Sequence, residues 1–211
     1  YLLKISPGEQ KQLTEPFWSR EKVIIGGKEE QFKGSPAEAV DALETLLKDS
    51  IRQQMIADVP VGAFLSGGVD SSTVVSLMQA QSNNPVKTFS IGFNEKSYDE
   101  AGFAKNVARH LGTDHTELYL TPQQVMNVIP ELPKIYDEPF ADSSQIPTLL
   151  ISKLASRSVK VSLSGDGSDE LFAGYNRYQI IDKSWKYLSS LPIYLRKFIA
   201  QSIKYLKPRT W

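Results

Sequence analysis

The chain has 211 residues, 41% of them hydrophobic, and its 24 lysines and arginines are matched by 24 aspartates and glutamates. It is long enough to bury a full core, and the balanced charge gives no basis for non-specific attraction to nucleic acid or to a membrane, which needs a basic excess. No apolar run reaches the roughly 18 residues of a membrane span, no segment has the succession of a secretory signal, and the absence of cysteine excludes a disulfide framework, a thiolate metal site and a cysteine nucleophile. A cytoplasmic protein is expected. The chain opens at Tyr1 without a methionine and is read as a piece of a longer polypeptide.

Residues 1–34 are broken by Pro7, Pro16 and Gly26-Gly27 and read as a connecting arm. From Ser35 the pattern changes. Ser35 and Glu38 form a capping-box pattern around Pro36, and Val40, Leu43, Leu47 and Ile51 recur on one helical face. A strand over 61–65 leads to a helix through "STVVSLMQAQ". A second strand, 86–93, precedes a helix begun by Ser97 and Glu100 and stopped by Gly112. A third strand, "HTELYL", is followed by a helix opened at Thr121-Pro122, a proline-rich loop, a further helix and a strand over 159–163. Strand and helix alternating in this way predict an α/β fold, an open, mainly parallel twisted sheet with helices on both faces.

In such sheets ligands bind beyond the carboxyl ends of the strands, where both glycine-rich segments fall. In "AFLSGGVDSSTVVSLM" the strand runs into Gly67 and Gly68, which permit a tight turn and close backbone approach, with Ser66, Ser71 and Ser72 adding hydroxyls. The helix that follows presents its positive end, worth about 0.3–1 kcal/mol per favourable charge, so the loop suits phosphate oxygens. Asp70 would repel them unless a cation such as Mg²⁺ lies between, and it reads as a metal ligand, direct or through water. The nucleoside-triphosphate loop is excluded because no lysine follows the glycines, and neither a dinucleotide fingerprint nor a serine-hydrolase elbow matches. In "VSLSGDGSDELFAGYNRY" a strand again enters a glycine turn, with Asp166, Asp169 and Glu170 clustered at a helix start. Taken singly they could be caps that favour the helix dipole; together beside the first loop they suggest a second wall of one nucleotide site.

"SGGVDSS" resembles the pyrophosphate-binding loop of the ATP pyrophosphatase superfamily. With the "SIGF" strand end, "YDEPFADSSQIPT" and "LSGDGSDELFAGYNRY", the chain from about 35 to 180 resembles the synthetase domain of glutamine-dependent asparagine synthetase and its relatives. The resemblance implies an adenine nucleotide α-hydrolase-like fold of the pyrophosphate-loop type. It implies that Leu65 and Ile91 meet the base and ribose largely through backbone, that Ser164 and Gly165 line the other side, and that Ser66, Gly67, Gly68, Ser71 and Ser72 hold the pyrophosphate of ATP, with Asp70 and Gly92 also in the ATP-binding set. Asp70, Asp169 and Glu170 would bind Mg²⁺. Asp166 would be catalytic in forming the acyl-adenylate; asparagine synthetases carry glutamate there, and many wider relatives carry aspartate. The implied reaction adenylates the side-chain carboxylate of aspartate or a similar acid with release of pyrophosphate, and ammonia then gives the amide and AMP. The amino-terminal segment resembles the link leaving the family's glutaminase domain, implying that 1–34 is a linker from such a domain preceding Tyr1 and that 35–211 is a synthetase domain truncated at its end. Partners would be those small molecules and that glutaminase domain, with homodimerisation left open. A ligase for another carboxylate, such as a β-lactam-forming enzyme, and an inactive nucleotide-binding module are the alternatives.

Other residues draw plainer readings. His110, late in a helix, and His115, at a strand start, read as helix-end or surface groups. Any of Asp137, Glu138 and Asp142 could orient substrate, and a loop fixed by Pro139 and Pro147 explains them nearly as well; Arg177 and Lys183 could reach phosphate but read rather as solvent-facing. In the tail, Leu191, Leu195, Phe198 and Ile199 share one helical face, expected to dock on this domain or on sequence beyond it rather than on a membrane.

Overall fold

A computed structural model describes residues 1–5, 13–93, 101–139 and 141–204. The chain divides into two compact units, Tyr1–Ser50 and Ile51–Trp211. In the first, Leu2–Lys4 (β1) and Leu13–Glu15 (β2) pair antiparallel. Arg20–Glu29 (α1) follows, capped by Ser19, whose hydroxyl accepts from the Lys22 N–H. Gly26 and Gly27 lie inside α1 rather than breaking the chain there. Each glycine weakens a helix by only about 1 kcal/mol, and the cap and an acidic first turn oppose that loss.

Pro36–Gln54 (α2) begins with the expected capping box: the Ser35 N–H donates to Glu38 Oε2 at 2.7 Å and the Glu38 N–H to Ser35 Oγ at 3.3 Å. The Ser35 N–H and hydroxyl hold the Glu38 carboxyl below its ordinary range. Leu43, Leu47 and Ile51 fall on one face, but Val40 lies off it and is 63% exposed; Ala39, four residues before Leu43, completes the row.

The second unit is built on a four-stranded sheet, all parallel: Val61–Phe64 (β3), Lys87–Phe93 (β4), Asp114–Leu120 (β5) and Val161–Leu163 (β6), in the order β5-β4-β3-β6. Connecting them are Val69–Ala80 (α3), Ala101–Leu111 (α4), Pro122–Val128 (α5), a 3₁₀ turn at Ile129–Glu131, Leu132–Ile135 (α6) and Gln145–Ala155 (α7). Thr121 and Gln124 form a capping box at α5. The expected Ser97–Glu100 start of α4 lies outside the described residues. Phe89, Leu154, Ala155 and Val159 form a core cluster between sheet and α7, with Phe64, Leu118 and Ile151 packed against it. β6 is shorter than the expected 159–163, because Val159 still donates to the Ala155 carbonyl at the end of α7.

Chain order decides where a site can form. From β3 the chain moves outward to β4 and β5, then returns to the opposite side of β3 to make β6. At such a reversal the crossovers leave in opposite directions, and a crevice opens beyond the strand ends. Ser168–Phe172 (α8), Asn176–Ser189 (α9) and Ile193–Lys204 (α10) follow β6. The tail's expected apolar face is only partly covered within the described chain: Leu191 and Ile199 are half-buried, while Leu195 is 38% and Phe198 66% exposed. Among the described residues no helix is long and apolar enough to cross a membrane.

Candidate functional site

A cleft of about 880 Å³ lies at the carboxyl ends of β3, β4 and β6. Leu65 and Ser66 enter it from β3, Ile91 and Phe93 from β4, and Ser164 to Gly167 from β6. The first loop is locked from within. Ser71 Oγ lies 2.9 Å from Ser66 Oγ and accepts from the Ser66 N–H at 3.2 Å, while Ser66 Oγ accepts from the Gly68 N–H at 3.3 Å. Leu65, 1% exposed, donates its N–H to the Phe89 carbonyl and so pins the loop to the sheet. Gly67, at φ +82°, has its α-carbon against the start of α4; a Cβ there would stand 2.5 Å from the Ala104 nitrogen.

The second loop is more open. Ser164 Oγ donates to Asp166 Oδ2 at 3.0 Å, Ser168 Oγ donates to the Gly165 carbonyl at 2.8 Å, and Gly167 takes the left-handed conformation at φ +90° before α8. The Tyr175 hydroxyl donates to Glu170 Oε1 at 2.8 Å, which pushes the Tyr175 pKa up, and the Arg177 guanidinium lies over the Tyr175 ring at 4.0 Å. Gly174 admits the Asp169 carboxylate into the space a Cβ would fill.

The loops touch. A Cβ on Gly165 would come within 2.8 Å of the Ser71 nitrogen and 2.9 Å of Asp70 Cβ, so the backbone after β6 rests on the amino-terminal turn of α3. Of the residues singled out in the sequence, Leu65, Ser66, Asp70, Ser71, Ile91, Ser164, Gly165, Asp166, Asp169 and Glu170 all line the one cleft. Gly67, Gly68, Ser72 and Gly92 are not among its lining residues. Gly92 packs its α-carbon against Ala101 and Tyr119. Ser72 lies about 100° around the helix from Ser71 and lines a groove between α3 and α4, its buried hydroxyl without a partner among the described residues.

Of the three loop acids weighed in the sequence, Asp142 alone lines the cleft, and Ser144, Thr148 and Tyr175 were not singled out. Asp142 and Ser144 reach the cleft from the loop before α7, and the Ser144 N–H and hydroxyl hold the Asp142 carboxyl below its ordinary range. Thr148 and Tyr175 also line it. Tyr175 stood inside the quoted motif, and its hydroxyl among carboxylates was the available signal. Arg177 is exposed as expected, with its guanidinium also stacked on that tyrosine. His110 is exposed as expected, whereas the His115 side chain is enclosed between β4 and β5, because 115 falls on the face of β5 that meets Thr88 and Ser90. Among the described residues no three His, Cys, Asp or Glu side chains converge as a metal site.

A protein-family model described as asparagine synthase matches residues 42–210. The chain belongs to the asparagine synthase family. It is 41% identical over 140 residues to asparagine synthetase [glutamine-hydrolyzing] 1 of Bacillus subtilis, covering 66% of this chain and 22% of that protein. It is 33% identical over 182 residues to the asparagine synthetase [glutamine-hydrolyzing] of Brassica oleracea, covering 81% of this chain and 29% of that one. The chain thus spans between a fifth and a third of the length of these family members. An NH3-dependent NAD synthetase from Campylobacter jejuni aligns in structure with a TM-score of 0.46 at 15% identity, over 64% of this chain and 60% of that one.

Proposed function

We propose that the cleft binds Mg-ATP and activates a carboxylate as its adenylate, the first half of an ATP-dependent amide synthesis whose acceptor is the side chain of aspartate. The observation that carries this reading is the contact of the two glycine-serine-aspartate loops at the reversal between β3 and β6, which gathers Asp70, Asp166, Asp169 and Glu170 around one space. Backbone N–H groups of the first loop and the amino-terminal end of α3 suit the phosphates. The buried Leu65 and the half-buried Ile91 line the cleft where the base and ribose would lie and would meet them largely through backbone.

Carboxylates that face one space without three of them converging among the described residues would suit a magnesium ion whose remaining ligands are phosphate oxygens and water. Asp70 and Asp169 would hold that ion, with Glu170 kept beside them by Tyr175. When bound, Mg²⁺ neutralises phosphate charge and lowers the barrier to departure of pyrophosphate. The chain's own part is positioning: the loops hold the phosphates in line, and Asp166, oriented by Ser164, faces the reacting carboxylate. An acceptor carboxylate oxygen then forms a bond to the α-phosphorus as the bond from that phosphorus to the bridging oxygen breaks, the electron pair leaving with pyrophosphate. Ammonia attacks the acyl carbon, loses a proton and expels AMP. In the whole protein we propose that glutamine supplies that ammonia through a glutaminase domain, and that the protein works in the cytoplasm.

Carboxylate-dependent exchange of labelled pyrophosphate into ATP, measured over a panel of acids, tests the reading. Exchange is expected with Mg²⁺ and aspartate and not without either. Exchange that is selective for another acid would transfer the reading to a different amide-forming ligase, and ATP binding without exchange by any acid would reduce it to nucleotide binding.

A further inference from the structure

Strand β4 reaches the cleft with Ser90 and Ile91, and a side chain with no part in the chemistry above holds it there. His115 of β5, its side chain 9% exposed, has Nδ1 2.9 Å from Thr88 Oγ1 and Nε2 3.2 Å from Ser90 Oγ. Thr88 Oγ1 is also 2.9 Å from Thr113 Oγ1, so Thr113, Thr88, His115 and Ser90 form one run of polar groups that ends at the cleft wall. Thr88 and Ser90 are 0% and 2% exposed, so neither hydroxyl can turn to water if the imidazole leaves. A neutral imidazole carries one donor and one acceptor nitrogen, and the hydroxyls on either side can match both.

Charged groups also face this ring. Glu117, two residues on along β5, has Oε1 3.9 Å from His115 Nε2, and Lys105 from α4 pairs with Glu117 at 3.1 Å. β4 presents only the uncharged Thr88 and Ser90 to it. Burial lowers the His115 pKa below the ordinary 6.5; the Glu117 charge opposes that and the Lys105 charge adds to it. Protonation makes both ring nitrogens donors and puts a positive charge beside Glu117, so Glu117 competes with Ser90 for Nε2.

We propose that His115 is a positioning residue for the cleft: neutral, it clamps Ser90 and the β4 wall, and protonated it turns toward Glu117 and releases that wall, so that ligand binding weakens at low pH. The proposal rests on the reading of the cleft as a nucleotide site. Because the folded-state pKa is depressed, the stability held in the neutral ring is complete above the ordinary 6.5 and is lost as pH falls below it toward the pKa of His115 itself.

Two measurements on the 211-residue chain test it. The chain has two histidines and His110 is exposed, so imidazole ¹⁵N resonances separate the pair. Ser90→Ala is expected to move the ring signals and the titration of His115 and leave those of His110 in place. In parallel, Mg-ATP affinity is followed from about pH 8 to about pH 5.5 for the wild type and for His115→Gln, whose amide retains a donor and an acceptor but does not titrate. The γ-phosphate of ATP titrates in the same range, at about 6, but equally for both proteins. At pH 8 the two affinities should agree within about threefold, and below the His115 titration the wild type should lose about three- to tenfold more, the scale of one hydrogen bond. Superimposable pH profiles, or His115 signals unmoved by Ser90→Ala, would overturn the proposal. Absence of Mg-ATP binding at every pH, with the ring still coupled to Ser90, would overturn the nucleotide reading and the pH effect built on it while supporting the clamp itself.

Discussion

The loop after β3 and the loop after β6 use the same ingredients, a glycine turn, serines and acids at a helix start, and are built in opposite ways. In the first, Ser71 is 8% exposed and its hydroxyl is bonded inside the loop, and the helix behind it runs for 12 residues with Val75, Leu77 and Met78 buried. In the second, α8 has five residues and none is buried, and Asp166 and Glu170 stand exposed. The first loop ties the N–H groups of Leu65, Ser66 and Gly68 and the hydroxyls of Ser66 and Ser71 into the fold before any ligand arrives, and presents the amino-terminal turn of α3 with Asp70 to the cleft. The second holds its carboxylates near the surface with one hydroxyl each on Asp166 and Glu170, and its backbone rests on the first. A fixed floor and an exposed acidic wall are the division of labour expected when one loop holds phosphates and the other faces the reacting group.

Removing a charge from the floor should have the largest effect. Asp70→Asn is expected to keep the fold and lower Mg²⁺-dependent pyrophosphate release about a hundredfold or more, the scale of losing a key electrostatic group; release at the wild-type rate would remove Asp70 from metal binding. On the wall, Asp166→Ala should leave the ATP dissociation constant within about threefold and cut aspartate-dependent exchange about tenfold to a hundredfold, as for loss of a charged hydrogen-bonding group. Equal loss of both would make Asp166 a nucleotide ligand.

The contact between the loops has its own test. Gly165→Ala drives a Cβ toward the Ser71 nitrogen and Asp70 and should destabilise by about 1–3 kcal/mol, read from urea unfolding, with ATP affinity falling as well. Gly68→Ala, where the nearest atom to the new Cβ is Ser66 Oγ at 3.4 Å, should change stability by no more than about 0.5 kcal/mol. The smallest contrast is between serines. Ser71→Ala strips partners from the Ser66 N–H and hydroxyl and should cost about 1–2 kcal/mol, whereas Ser164→Ala, on the exposed loop, should stay within about 0.5 kcal/mol. Equal costs would erase the distinction between floor and wall.

Both loops could be read in the sequence because each feature there is local: apolar strand, glycine turn, acid, amphipathic helix. The parallel sheet followed from the same alternation. What escaped depends on rotation by one residue or on distant neighbours. Ser71 and Ser72 look alike in sequence, yet the 100° between successive helical residues sends one to the cleft and the other to the α3–α4 groove. Val40 and Ala39 exchange roles for the same reason. His115 reads as the polar start of a strand, and only the register that sets it opposite Thr88 shows that it is enclosed. Asp142 could not be ranked above Asp137 and Glu138 in sequence, and only its place in the cleft separates it from them. Gly26 and Gly27 show that a helix capped at its start can carry two glycines.

The central claim is that the two loops form one nucleotide site, and amide chemical-shift mapping during titration with Mg-ATP tests it most directly. The expected result is joint movement of amides in 65–72 and 164–170 with a single affinity, reversed when Mg²⁺ is chelated. Movement of only one loop, or shifts centred elsewhere on the chain with both loops silent, would contradict it.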